Sequence, residues 1–515
     1  MDSNNVIELR GITKRFGAVT ANEDVDLTVK EHEILSILGE NGSGKTTLMN
    51  ILSGIYRPDE GEIIVKGTPV TIHSPKDALA LNIGMVHQHY TLVNVFTAAE
   101  NIVLGLEGKQ VLDMPQILKT IRNITDSYGF ELDLNQKIYD MSVSQKQTVE
   151  IVKALYRGAD VLILDEPTAV LTPQETQKLF TVLRNMKEAG KSIIIITHKL
   201  NEVLTISDRV AVLRKGKNAG TLATKESTVQ LLAENMVGEK VSLDIKRDEP
   251  TNQKLKLKVD DLNYITPDGH KMLDHVSFEA NSGEMLGVAG ISGSGMKELL
   301  EAIAGIQTVE SGVVHYYKDD DNEYTLTGMD PSQIRKLGVA LSFVPEDRLG
   351  MGLVGSMGMT DNVMLRSYQK GKTPFVDRDS PKERSEKLIE LLEISTPGTE
   401  TPVRRLSGGN VQKVLVGREI SSRPEVLLVA YPVRGLDIHS SYNIYNLLNE
   451  QKKRGVAVIC VIEDLDVLLE LCDRIIVMNN GRITGERDAK ETTKDEIGML
   501  MTSSGEMQSS TGKGL

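Results

Sequence analysis

The chain is poor in cysteine, in net positive charge and in long apolar runs, and each shortage removes a class of protein. Only Cys460 and Cys472 occur among 515 residues, too few for the disulfide framework of a small secreted scaffold. Both stand among apolar, helical-looking segments, and they suit a reducing compartment as core residues. The formal net charge of −13 leaves no basic footprint of the kind that phosphate-backbone binding requires, so nucleic acid is not expected as a partner. No apolar run approaches the roughly 18 to 20 residues that span a bilayer. The segment Met1 to Arg10 lacks the basic start and apolar core of a secretory signal. A soluble chain is expected, or one held to a membrane by something else.

What is present is a repeat. Gly39-Glu-Asn41-Gly42-Ser-Gly44-Lys45-Thr46 recurs as Gly290-Ile-Ser-Gly293-Ser-Gly295-Met296-Lys297. A glycine-rich loop that opens a helix turns backbone N–H groups toward phosphate oxygens, and the helix N-terminus adds partial positive charge. In the first copy Lys45 can reach terminal phosphates, while Thr46, followed by Thr47, offers a hydroxyl to Mg²⁺. The apolar run Ile34 to Leu38 precedes this loop, and Leu48, Met49, Ile51 and Leu52 follow at helical spacing. The order predicts strand, loop and helix.

Two further runs end in polar residues: Val161 to Leu164 in Asp165-Glu166, and Ile193 to Ile196 in Thr197-His198. Parallel α/β sheets place their ligands at such carboxyl ends. Asp165 suits a Mg²⁺ partner acting largely through water, and Glu166 can polarise an attacking water. Between them and the loop, Ile117, Leu118, Ile121 and Ile124 predict a helical subdomain. The second half repeats the order, with Met285 to Val288, Val426 to Val429 and Val456 to Ile462 leading into Gly290, Ala430 and Glu463. This divides the chain into a first domain at 1–241, a polar linker at 242–254, a second domain at 255–502 and a serine- and glycine-rich tail at 503–515. An extended linker of that length reaches on the order of 45 Å.

The sequence of phosphate loop, Gln88 in Met85-Val-His-Gln88-His, Ser142 in Met141-Ser142-Val-Ser144-Gln145, Asp165-Glu166 and His198 resembles an ATP-binding-cassette (ABC) ATPase, and Leu406-Ser407-Gly408-Gly409-Asn410 is a fuller signature in the second half. The resemblance implies an α/β fold of two tandem P-loop ATPase domains, each with a parallel-sheet core, an antiparallel edge subdomain and a helical subdomain. It also implies head-to-tail pairing, with ATP and Mg²⁺ between the loop of one domain and the signature of the other. One site then joins Phe16 on the adenine, Gly39, Asn41, Gly42, Gly44, Lys45, Thr46, Thr47, Gln88, Asp165, Glu166 and His198 to Ser407, Gly408, Gly409, Asn410 and Asp437. The metal falls to Thr46, Gln88 and Asp165; catalysis falls to Glu166, His198, Lys45 and Gln88.

The second site is degenerate. It retains Gly290, Gly293 and Gly295, but Met296, Ala430, Tyr431 and Glu463 replace the lysine, aspartate, glutamate and histidine, and Glu346 replaces the glutamine. Its signature, Ser142 to Ser144, carries a serine in place of the second glycine, and Thr172 stands in place of Asp437. If each missing charged contact is worth roughly 1.5–3 kcal/mol, several together remove many decades of rate, so efficient hydrolysis is not expected there.

Val344-Pro-Glu346-Asp-Arg348 and Arg434-Gly-Leu-Asp437 are similar to the ATP-binding subunits of bacterial importers for simple sugars and nucleosides, and the Ala430-Tyr431 departure is similar to the nucleoside branch. Such a subunit lies peripherally on the cytoplasmic face of the membrane, with two permease subunits and, indirectly, an extracellular substrate-binding protein or lipoprotein. The alternative is a soluble tandem ABC protein acting as a nucleotide-switched clamp on ribosomes or nucleic-acid complexes.

Overall fold

The computed structural model describes residues 4–503 other than 18, 89, 106–111, 241, 242, 244, 246, 251, 252, 292, 320, 344–351, 369–375, 423 and 435. The chain forms two units, Met1–Val241 and Ser242–Leu515. In the first, a six-stranded sheet runs in the order Lys217–Ala223, Arg209–Arg214, Ile34–Leu38, Ser192–Thr197, Val161–Asp165, Ile83–Val86. Its neighbours are parallel except the pair Lys217–Ala223 and Arg209–Arg214. Ile34–Leu38, Val161–Asp165 and Ser192–Thr197 are buried at every position, which explains their unbroken apolar runs. Because adjacent strands lie about 4.8 Å apart, the phosphate loop, Asp165-Glu166 and Thr197-His198 leave the sheet side by side.

A four-stranded antiparallel sheet, Val19–Lys30, Asn5–Phe16, Glu60–Val65 and Thr68–Val70, shares a core with this one that includes Ile7, Leu9, Leu35, Leu48 and Ile163. The helices Ala98–Val103, Met114–Tyr128 and Val143–Tyr156 enclose a separate core around Ile102, Ile121 and Val149. In Met114–Tyr128 burial falls on Ile117, Ile121 and Thr125, the stripe of an amphipathic helix. Asp113 caps its start by accepting from the Gln116 N–H, and Gly129 ends it with φ 82°.

The second unit repeats the parts. Its six-stranded sheet has the order Val339–Phe343, Val426–Ala430, Ala457–Val461, Met285–Gly290, Arg474–Asn479, Arg482–Asp488, and its four-stranded sheet Lys271–Asn281, Leu255–Ile265, Ser311–Asp319, Asn322–Thr325. The helices Met359–Met364, Asp379–Leu392 and Gly408–Ile420 correspond to the first helical layer. Cys460 and Cys472 are buried free thiols, with their Sγ atoms 3.6 Å apart. Among the described residues no helix is long and apolar enough to cross a membrane.

Within the expected linker at 242–254, the described residues Ile245 and Arg247 to Glu249 form a strap on the second unit. Arg247 Nη1 donates to Leu469 O at 2.9 Å and Cys472 O at 2.5 Å. Lys452 Nζ donates to Asp248 O at 2.5 Å, Lys490 pairs with Glu249, and Ile245 packs against the core. The physical reason is the end of the helix Leu465–Leu471: its last carbonyls lack intrahelical partners, and a guanidinium satisfies them.

Candidate active site

The loop between Ile34–Leu38 and the helix Lys45–Leu52 is shaped by glycine. Gly42 and Gly44 have φ values of 82° and 97°, which side chains resist, and a Cβ on Gly44 would lie 2.3 Å from Ala21 O. Gly44 caps the helix without a side-chain bond, so the first helical N–H groups remain available to an anion. Ser43 Oγ is buried in the same cradle with no hydrogen-bond partner, a donor suited to a phosphate oxygen.

Lys45 is also buried. Its Nζ donates to Gly39 O at 2.7 Å and Glu40 O at 2.8 Å. Burial holds its pKa below the ordinary lysine value, opposed by the charges of Glu166 and Asp165; a phosphate in the loop would favour the ammonium further. Thr46 Oγ1 donates to Asp165 Oδ2 at 3.3 Å. Burial, then the neighbouring Glu166, raise the Asp165 pKa, and a divalent cation would relieve both effects. The two side chains offer the hard oxygens that Mg²⁺ prefers. Among the described residues no cluster of three or more His, Cys, Asp or Glu could hold a metal, so a cation at Thr46 and Asp165 would draw its other ligands from outside such side chains.

Glu166 adopts φ 47°, a left-handed conformation costing roughly 1–2 kcal/mol for a side-chain-bearing residue. Its N–H is bonded to Ile196 O at 2.9 Å. Glu166 Oε1 lies 2.9 Å from His198 Nδ1, and Oε2 accepts from Gln88 Nε2 at 3.3 Å. The His198 bond holds the Glu166 pKa below the ordinary carboxylate value, leaving an ionised acceptor. Beside it lies a cavity of about 10 Å³ lined in part by Gln88, Tyr90, Asp165 and Glu166, room for about one water.

Phe16 is 42% exposed and meets Tyr56 edge-on, with ring centroids 5.2 Å apart. Lys14 Nζ lies 5.5 Å from the Phe16 centroid. Asp59 accepts from Lys14 Nζ at 3.0 Å and from the Arg15 N–H at 2.6 Å. Tyr56 and Asp59 escape sequence reasoning, because their relation to Phe16 comes from the fold; the cue was an aromatic directly after the first loop-helix pair.

The second unit keeps the backbone and changes the groups. Gly293 and Gly295 have φ values of 87° and 93°, and Tyr431 takes 52°, with its N–H bonded to Val461 O at 3.0 Å. Met296 is buried in the position of Lys45, and Ala430 in that of Asp165. Glu463 lies 3.9 Å from Arg434, whose guanidinium is 5.8 Å from the Tyr431 ring centroid. Glu346 lies outside the described residues.

Ser407 caps Gly408–Ile420, with Asn410 Nδ2 donating to its hydroxyl at 2.9 Å. Asp437 caps Ile438–Lys453 by accepting from the Ser440 N–H and hydroxyl, both at 2.7 Å. In the first unit Ser142 caps Val143–Tyr156. Ser144 Oγ donates to Glu175 Oε1 at 2.6 Å, and Glu175 completes the capping box of Thr172. The hydroxyl that replaces a signature glycine is thus used within its own unit.

A lysine-bearing phosphate loop, a strand-end Asp-Glu pair and a histidine on the glutamate, set on a duplicated sheet of this order, define an ATPase of the ATP-binding-cassette class. The chain belongs to the ABC transporter family, whose profile matches residues 22–169 and 273–432, and it is a nucleotide-binding ATPase of that family. It is 42% identical over 97% of its length to 99% of the nucleoside import ATP-binding protein NupA of Lactococcus lactis. It is 39% identical over 99% of its length to 99% of the guanosine import ATP-binding protein NupO of Bacillus subtilis. Among solved structures, the archaeal ribosome recycling factor aABCE1, in complex with the stalk protein aP1, aligns with 95% of this chain and 92% of its own at TM-score 0.62 and 17% identity. That likeness shows the fold alone.

Proposed function

We propose that the chain hydrolyses ATP at the Lys45 site to drive nucleoside import through two membrane permease subunits, lying peripherally on the cytoplasmic face and serving an external substrate-binding protein. The observation that carries the catalytic reading is Glu166, ionised and bonded from both sides by Gln88 and His198. In this reading the loop N–H groups, Ser43 and Lys45 receive the phosphates, and Phe16 receives the adenine. Mg²⁺, held by Thr46 and Asp165 directly or through water, would neutralise developing phosphate charge. Glu166 orients the attacking water; His198 fixes that carboxylate, and Gln88 links it to the segment before Tyr90.

The nucleoside assignment rests on the names of the relatives at 42% and 39% identity, against a glucose import relative at 37%. Affinity capture of the tagged chain from detergent-solubilised membranes should recover two polytopic proteins, and cells carrying Glu166→Gln should lose uptake of labelled nucleoside. Loss of a general base costs about 10²–10⁴-fold in rate. Recovery of ribosomal proteins without a permease, or nucleoside uptake unchanged in Glu166→Gln, refutes the assignment.

A further inference from the structure

The nucleotide-facing positions of the second unit are occupied by its own side chains. Strand register places Thr266 opposite His270 in the hairpin, the position that Phe16 holds opposite Val19 in the first unit, so the exposed ring on which a base would stack is replaced by threonine. The nearby aromatic, Tyr264, is buried instead. Its hydroxyl donates to Gln307 Oε1 at 2.9 Å, and Gln307 Nε2 donates to Glu301 Oε2 at 2.9 Å. Gln307 occupies the place of Tyr56, following Gly305-Ile306 as Tyr56 follows Gly54-Ile55. The same Glu301 carboxylate lies 3.6 Å from Lys297 Nζ, the residue in the place of Thr46. The place of the base edge is thereby joined, through buried Tyr264 and Glu301, to the partly exposed Lys297 in one polar network.

The phosphate positions are closed as well. Met296 belongs to the same core as Leu273, Leu299 and Met478, and its Sδ lies 3.0 Å from where a Cβ on Gly290 would stand. Glu298 puts a carboxylate in the first turn of the loop helix, where negative charge on a side chain opposes an incoming phosphate; the first unit has no acid in that turn. At the strand ends Arg434 is engaged with the ring of Tyr431 and the carboxylate of Glu463. A phosphate-loop fold implies ATP here, but these residues do not fit it.

We propose that the second unit holds no nucleotide and that the chain takes up a single ATP, in its first unit; the inference rests on the reading of the Lys45 site as an ATP site. The retained turn at Gly293 and Gly295 is then a way of packing the helix Met296–Ile303 against the sheet. Each lost charged contact lowers affinity roughly ten- to hundredfold, and loss of a stacked base lowers it by about tenfold. The three losses at Met296, Ala430 and Thr266 together lower affinity by about 10³- to 10⁵-fold, taking a site of micromolar affinity to about millimolar or weaker.

The test is equilibrium dialysis of the full-length Glu166→Gln chain against labelled ATP with Mg²⁺, carried to saturation, together with photolabelling by 8-azido-ATP and peptide mapping. The expected result is one nucleotide per chain, with label on first-unit peptides around Phe16 and Tyr56. Two nucleotides per chain, or label on peptides around Thr266 and Gln307, overturns the proposal while leaving the first site intact. No bound nucleotide in either measurement overturns the Lys45 reading and the proposal with it.

Discussion

Replacing Lys45 by methionine separates two roles that a buried lysine can have. Its ammonium donates to Gly39 O and Glu40 O, so the change removes two hydrogen bonds, each worth about 0.5–1.5 kcal/mol net, or up to about 3 for a charged donor. Against that loss, an ammonium no longer has to be kept out of water, a penalty of several kcal/mol for a buried ion; the lowered pKa of Lys45, with burial as its first cause, is the sign of it. The second unit shows that the loop accommodates the thioether, since Gly293 and Gly295 keep nearly the same φ as Gly42 and Gly44 around the buried Met296. Stability of Lys45→Met should therefore stay within about 1 kcal/mol of the parent, a Tm change of about 2–4 °C for a unit of this size. Nucleotide affinity should fall by about 1.5–3 kcal/mol, roughly ten- to hundredfold. Calorimetric melting without nucleotide and titration with MgATP measure the two effects. An affinity within threefold of the parent at unchanged Tm refutes Lys45 as a phosphate ligand, and a Tm loss of more than about 8 °C shows that its bonds to the loop were structural.

Three further outcomes follow from the same geometry. Asp165 has a raised folded pKa, so ionising it costs stability as pH rises from the ordinary aspartate value through the raised one, and that cost persists at neutral pH; Asp165→Asn should raise the Tm of the nucleotide-free chain at pH 7 and abolish the added stabilisation by MgATP over ATP alone, both read by calorimetry. Phe16→Ala should raise KM for ATP about tenfold, by loss of base stacking, with kcat within about twofold, as measured by steady-state phosphate release. Arg247→Ala should release the strap from Leu469 and Cys472, costing about 1.5–3 kcal/mol, visible as a lower Tm of the second unit and faster proteolysis between residues 243 and 254.

Much of this architecture is legible in the sequence because its chemistry is local. Strand, loop and helix around Gly39 to Leu52 follow from an apolar run, glycine spacing and helical periodicity within about twenty residues, and Ile117 with Ile121 marks its helix by burial every fourth position. The left-handed turn at Glu166 was not legible, since neither glutamate nor tyrosine announces a positive φ; it follows from the strand Ser192–Thr197, whose Ile196 carbonyl receives the Glu166 N–H. Nor was the strap, whose Arg247 finds its acceptors 222 and 225 residues away. The network from Tyr264 to Lys297 was hidden for the same reason.

The sequence by itself determined which chemical groups each half possesses: a lysine, an Asp-Glu pair and a histidine in one, a methionine, an Ala-Tyr pair and a glutamate in the other. Only the tertiary structure decided which of those groups remain available. Glu166 keeps a neighbouring cavity, a carboxylate held ionised by His198 from a separate strand end and a hydrogen bond from Gln88, whereas Glu301, Gln307 and Tyr264 satisfy one another. Hydrogen-bonding capacity belongs to a residue type, but whether it is spent inside the protein depends on neighbours that folding brings from far along the chain.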